Sequence, residues 1–167
     1  MNTTPGNTYL DDIRRLDARR AGDGLETIRQ GGAALFRAGG FPGLRDENWK
    51  YTDVRSIARN NFTLAAAGDG QITHAAVAGA SLASEGCHEL VFINGRFAPE
   101  HSTTANLPQG VIIENLADAV ARHQALVHGH LGRYADASGN AFTALNTACI
   151  EHGCLIHIPA DITLEVP

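Results

Sequence analysis

The sequence predicts an α+β fold: a mainly helical N-terminal domain with a small antiparallel β-hairpin sheet, running into further strands at the end of the chain. Three observations predict it. Apolar residues recur at helical spacing through residues 8–39, Asn94-Gly95 sits between two β-rich runs, and two apolar runs close the chain at residues 154–158 and 162–166.

Residues 1–7 are polar, with Pro5 and Gly6, and read as disordered. From Thr8 onward Tyr9, Leu10, Ile13 and Leu16 share one helical face, with Thr8 and Asp11 spaced as a capping box and Gly22 as the stop. A second helix starts from Asp23 as N-cap, runs through Leu25, Ile28, Leu35 and Phe36, and ends at Gly39. Gly31 and Gly32 in its middle weaken it by about 1 kcal/mol each relative to Ala, so they mark close packing or a bend.

Residues 40–54 hold the only Trp, Trp49, and the only Lys, Lys50. Apolar-periodic helices lead into them and a thin, Ala-rich stretch follows, so a large ring here is the natural buried anchor of a sparse core. Arg45, Glu47 and Lys50 alternate in charge, while Trp49 and Tyr51 each carry one polar handle. Two readings fit: a structural clamp at a helix-to-loop junction, or a ligand site with a cation beside aromatic faces. The clamp is favoured because no second polar cluster nearby in sequence completes a pocket.

Residues 53–58 add a short helical turn. Residues 60–86 form a connector rich in Ala, Gly, Ser and Thr, in which one weak helix is defensible at 73–80. Residues 88–98 are the clearest β signal, because Asn94-Gly95 supplies the positive φ angles of a type I′ hairpin turn. Residues 107–110 turn into a strand at 111–114, giving an antiparallel sheet of at least three short strands. Asn115 then caps a helix with Leu116, Ala119 and Val120 inward, and another helix follows at 126–131. After a polar loop at 134–139, Asn140 caps a helix with Phe142, Leu145 and Cys149 inward, stopped by Gly153 in a left-handed conformation. The domain division is therefore 1–152, then 153–167 as the start of a second core. Two apolar strands with uncovered edges imply that the chain is the front part of something longer, or that a partner adds the next strand. Their spacing of seven to eight residues is also how a β-solenoid begins.

Composition excludes several classes. The chain has 167 residues and a net charge of −5, without a sustained Lys/Arg run, so the footprint of a nucleic-acid binder is missing. Arg14, Arg15, Arg19 and Arg20 interleave with Asp11, Asp12 and Asp17 as a solvated, ion-paired helix face. The N-terminus lacks a secretory pattern and no apolar run reaches membrane-spanning length, so a cytoplasmic location with no membrane partner is expected. Cys87, Cys149 and Cys154 contain no C-x-x-C pair and are odd in number, which suits a reducing compartment.

The richest set of potential metal ligands is Cys149, His152, Cys154 and His157, with His128 and His130 nearby in sequence. Spacing argues against a closed site. Cys154 and His157 point to opposite faces of a strand, Cys149 belongs to the inner face of its helix, and His152 suits a helix C-terminus. A phosphate loop, a nucleophile elbow and paired carboxylates are also missing. No catalytic, cofactor-binding or metal residue is therefore assigned, and a non-enzyme is favoured. Two alternatives remain: a small metal-dependent enzyme built on residues 149–157, and an independent partner-binding module using the Arg14–Arg20 face.

Four runs in order carry a family resemblance: Arg45-x-Glu47-x-Trp49-Lys50-Tyr51-Thr52; Leu90 to Phe97 with Asn94-Gly95; Phe142-x-x-Leu145-Asn146-x-Ala148; and Gly153-x-Leu155-Ile156-His157-Ile158-Pro159. Together they resemble the SufB/SufD family, scaffold subunits of the SUF iron-sulfur cluster assembly system, and SufD more than SufB. The resemblance implies an N-terminal mainly helical domain, a long right-handed parallel β-helix and a C-terminal helical domain docking on the ATPase SufC. This chain resembles the N-terminal part and the first strands of the β-helix. SufB-like and SufC-like partners are implied within a SufBCD complex, mostly through regions beyond residue 167. Iron-sulfur handling is implied for the full complex, with no cofactor in this chain. Arg45, Glu47, Trp49, Lys50, Tyr51, Thr52, Asn94 and Gly95 are then structural motif residues.

Overall fold

The computed structural model describes residues 7–60, 62–65, 72–83, 86–104 and 106–165. Expectations for residues 1–6 and for the middle of the 60–86 connector lie outside them. The described residues form seven α-helices: α1 Asn7–Arg19, α2 Glu26–Gly39, α3 Arg55–Arg59, α4 His74–Ala80, α5 Leu116–Arg122, α6 Gln124–His130 and α7 Ala141–Ala148. They also form four strands: β1 Phe92–Ile93, β2 Arg96–Phe97, β3 Ile112–Asn115 and β4 Cys154–His157. The fold is α+β, as expected. Among the described residues no helix is long and apolar enough to cross a membrane.

The chain divides into two units. The first takes the described residues of Met1–Leu64 together with Ala125–Ile150. Its core is Ile13, Ala33, Phe36, Ala144 and Ala148, all buried, where α1 and α7 pack on α2. Gly32 explains the closeness of α2 and α7: a β-carbon there would lie 2.6 Å from the Ala148 nitrogen and 2.8 Å from the Ala144 carbonyl oxygen. The expected reason for the paired glycines thus holds for Gly32, whereas a β-carbon at Gly31 would meet open space.

Several local expectations are corrected in this unit. Thr8 lies inside α1 rather than at its cap. Asp23 does not cap α2, because its carboxylate is committed elsewhere, one oxygen accepting from the Leu25 amide at 2.9 Å and both accepting from Arg29. The helix starts two residues later, with Leu25 at the cap position and no side-chain cap. On α7 the fully buried positions are Ala144 and Ala148, not Phe142, Leu145 and Cys149, which are half-buried around the core. Small residues win the centre because the glycine of α2 leaves no room for large ones. Asn140 does cap α7 as expected, its Oδ1 accepting from the amides of Phe142 and Thr143 at 2.9 and 3.1 Å.

Sequence reasoning missed Arg29. Its side chain is 0% exposed on the inner face of α2. All five guanidinium N–H groups are satisfied: Nε donates to Asp17, Nη1 to Asp23 and the Ile150 carbonyl, and Nη2 to Asp23 and the Arg20 carbonyl. One cation thereby ties the end of α1, the α1–α2 turn and the segment after α7. A buried charge survives only when paired and hydrogen-bonded, and Arg29 is both.

The second unit takes the described residues of Ala65–Gln124 and Glu151–Pro167. β1 and β2 form the expected hairpin, with Asn94 at φ 50° and Gly95 at φ 78°. The expected three-stranded sheet does not form. β3 pairs instead with β4, antiparallel, in the register Ile112 opposite His157 and Asn115 opposite Cys154. The apolar pattern at 111–114 identified a strand but carried no information on its partner. Of the two strands expected at the C-terminal end only the first is present among the described residues, where 162–165 are not in a strand; Val166 lies outside them. Gly153 does not adopt the left-handed conformation; α7 has already ended at Cys149, and the Gly153 carbonyl accepts from the Leu116 amide at 2.9 Å. Asn115 occupies the cap position of α5, but its side chain makes no cap bond. Leu116, Ala119 and Val120 are buried as expected. α4 matches the weak helix of the connector, with Thr73 capping it by accepting from the Ala76 amide at 3.2 Å.

Candidate functional site

Residues 40–54 leave α2 through Gly40, whose φ of 63° suits glycine, and turn back over α7. Two aromatics bracket the segment. Phe41 and Trp49 both rest on Phe142 of α7, with ring centroids 5.7 and 5.2 Å away. Phe41 continues the contact inward to Tyr9 and Phe36, each at 5.1 Å. Tyr9 in turn donates from Oη to the Ile57 carbonyl at 2.7 Å, and the partial burial of its phenol raises its pKa. A chain of rings thus runs from α1 to Trp49.

Trp49 stands at the outer end of that chain. It is half-buried within a 3-10 turn at Glu47–Trp49 that buries none of its residues, which corrects the expectation of a buried anchor. Its neighbours face outward: Arg45, Thr52 and Tyr51 are exposed, Tyr51 at 92%. Lys50 pairs with Glu47 and lies 5.1 Å from the Tyr51 ring centre. Asp53 closes the segment by accepting from the Arg55 guanidinium and the Arg55 amide, which hold its carboxyl down to about 2.

A cleft of about 250 Å³ borders Trp49, with Asp46, Glu47 and Asn48 on one wall and Ser138 and Asn140 on the other. The expectation that no polar group completes a pocket here is corrected by that second wall, which comes from residues 137–144 and is remote in sequence. Its polar groups already serve the fold. Asp46 accepts from the Gly43 amide at 2.5 Å, Glu47 pairs with Lys50, Asn140 caps α7, and Ser138 donates to Asp136 at 2.8 Å. Asn94 and Gly95 lie at the exposed hairpin tip of the other unit.

The Cys and His residues of 128–157 are distributed between the two units. Cys149 ends α7 in the first, where burial, assisted by the charge of Asp12, pushes its thiol up to about 11. His130 in the same unit meets the Tyr134 hydroxyl at 2.6 Å, and a buried Nε2 of His128 has no hydrogen-bond partner among the described residues. His152, Cys154 and His157 belong to the second unit, with Cys154 exposed and His157 half-buried on β4. Among the described residues no group of three or more His, Cys, Asp or Glu side chains is arranged to hold a metal ion.

Comparison with known proteins gives a consistent result. A family model described as the SufBD protein N-terminal region matches residues 8–167. A curated relative from Synechocystis sp., named iron-sulfur cluster assembly SufBD family protein, is 33% identical over 143 residues. The match covers 86% of this chain and 31% of the relative, so the chain spans about a third of that protein's length. No solved structure matches.

Proposed function

Because the chain belongs to the SufBD family through its N-terminal region, we propose that it forms the N-terminal part of a SufD-type scaffold subunit in iron-sulfur cluster assembly. The observation that carries the reading is the family match along residues 8–167, which contains all four motif runs in order. In this reading the chain performs no turnover of its own. Trp49 fastens the segment after α2 onto Phe142 of α7, the Glu47–Lys50 pair shapes the turn that presents it, Arg45, Tyr51 and Thr52 complete the structural motif on its exposed side, and Asn94-Gly95 shapes the hairpin.

The Trp49 motif and the hairpin favour the SufD branch over SufB. The partners are a SufB-type paralogue and a SufC-type ATPase in the cytoplasm, bound mostly through a right-handed parallel β-helix and a C-terminal helical domain beyond residue 167. The committed polar groups of the cleft beside Trp49 support a structural role for the segment. Co-expression of the complete reading frame with SufB-type and SufC-type subunits tests the assignment. Co-purification of all three is expected, and it should survive deletion of residues 1–110. Loss of the complex on that deletion would overturn the placement of the contacts, and failure of the complete protein to associate would overturn the assembly role.

A further inference from the structure

His74 is the first residue of α4, and His101 ends a 3-10 turn at Pro99–His101 that follows β2, 27 positions away. Their Nδ1 atoms are 3.1 Å apart, and the rings meet edge to face with centroids at 4.3 Å. Two neutral imidazoles can hold this geometry if one donates its Nδ1 proton to the other. The same convergence brings two ligand nitrogens to where a single ion could take both. Zinc-imidazole bonds of about 2.0–2.1 Å in tetrahedral arrangement separate two ligand nitrogens by roughly 3.3 Å, so the pair need open by only a few tenths of an ångström.

Access and surroundings agree with such a role. His74 is exposed and His101 half-buried, so a hydrated ion reaches the pair directly from solvent. Thr73 already caps α4, leaving the His74 ring without a capping duty. α4 buries none of its residues, and the Ser81 hydroxyl after it donates to Glu89 at 2.5 Å. A bridge from His74 to His101 would add a second tether at the opposite end of this Ala-rich helix.

We propose that His74 and His101 form a two-imidazole site for a borderline divalent transition metal of the zinc, nickel and copper class. Water fills the remaining positions, because no third His, Cys, Asp or Glu joins the pair among the described residues. Sequence spacing could not reveal this site, since its two ligands lie on separate elements either side of the hairpin.

The test is calorimetric titration of zinc chloride into the chain prepared without a histidine tag, with His74→Ala, His101→Ala, His130→Ala and Cys154→Ser variants checked by circular dichroism for retained helix content. One zinc per chain is expected, weakened about tenfold or more by either His74→Ala or His101→Ala, and unchanged in the other two variants. Absence of binding by the parent chain, or binding that survives both substitutions and vanishes in Cys154→Ser, would overturn the proposal.

Discussion

Gly32 lies against Ala148 so closely that a β-carbon on the glycine would stand 2.6 Å from the Ala148 nitrogen. The obstructing atoms are backbone and cannot swing away. Gly32→Ala is therefore expected to destabilise the chain by about 1–3 kcal/mol, although alanine is the better helix former. Gly31→Ala, one position away and facing open space, should stabilise α2 by up to about 1 kcal/mol. Urea midpoints of the two variants check this, and equal effects would rule out the close approach.

Arg29 makes the first unit sensitive to acid. Burial raises the Asp23 carboxyl, but its bonds to Arg29 and the Leu25 amide, with the charges of Arg29 and Arg20, outweigh that and leave its pKa below the usual carboxylate value. A depressed folded-state pKa contributes stability that is present above the unfolded value of about 3.9 and is lost as pH falls through the lower folded value. Unfolding midpoints should thus drop below about pH 4, and less steeply in Asp23→Asn. At neutral pH Asp23→Ala should cost about 1.5–3 kcal/mol, since it strips hydrogen bonds from a buried cation.

Trp49→Ala removes a half-buried ring whose tilted ring contact is with Phe142. A loss of about 2 kcal/mol is expected, below the roughly 3–5 kcal/mol of a fully buried Trp. Denaturant unfolding of Trp49→Ala and Phe142→Ala with their double variant checks it. The double variant should lose less than the sum of the single losses. Strict additivity would show that the two rings do not cooperate.

The cysteines should separate by reactivity. Cys149 is half-buried with its thiol pushed up to about 11, so very little thiolate exists at neutral pH. Cys154 is exposed on β4. A maleimide reagent at pH 7 is expected to label Cys154 well before Cys149, as read by mass spectrometry of peptides. Equal rates would mean that the end of α7 opens readily.

Element identity was legible wherever one local signal dominated. Asn94-Gly95 dictated the hairpin by its positive φ angles, Asn140 dictated its cap, and the period of Tyr9, Leu10, Ile13 and Leu16 dictated α1. Partners were not legible. Nothing local to residues 112–115 tells that they pair with 154–157, and nothing local to Arg29 tells that Asp17 and Asp23 neutralise it in the interior. Trp49 shows the converse. Its size predicted burial, but Phe36 and small residues of α2 and α7 fill the centre and leave the larger ring at the rim. The cleft beside it was invisible for the same reason, since its walls meet only in three dimensions.

The hydrogen bond from Arg29 to the Ile150 carbonyl joins positions 121 residues apart. On a ribosome adding about 5–20 residues per second, α2 would be complete about 5–20 seconds before Ala141, the first residue of α7, is joined to the nascent chain. During that interval α2 lacks the whole of α7. Phe36 and the Gly32 groove remain open, and Arg29 has only its acidic neighbours. The first unit can therefore finish folding only after the second unit's intervening residues have been synthesised, and until then the apolar face of α2 stays uncovered by α7.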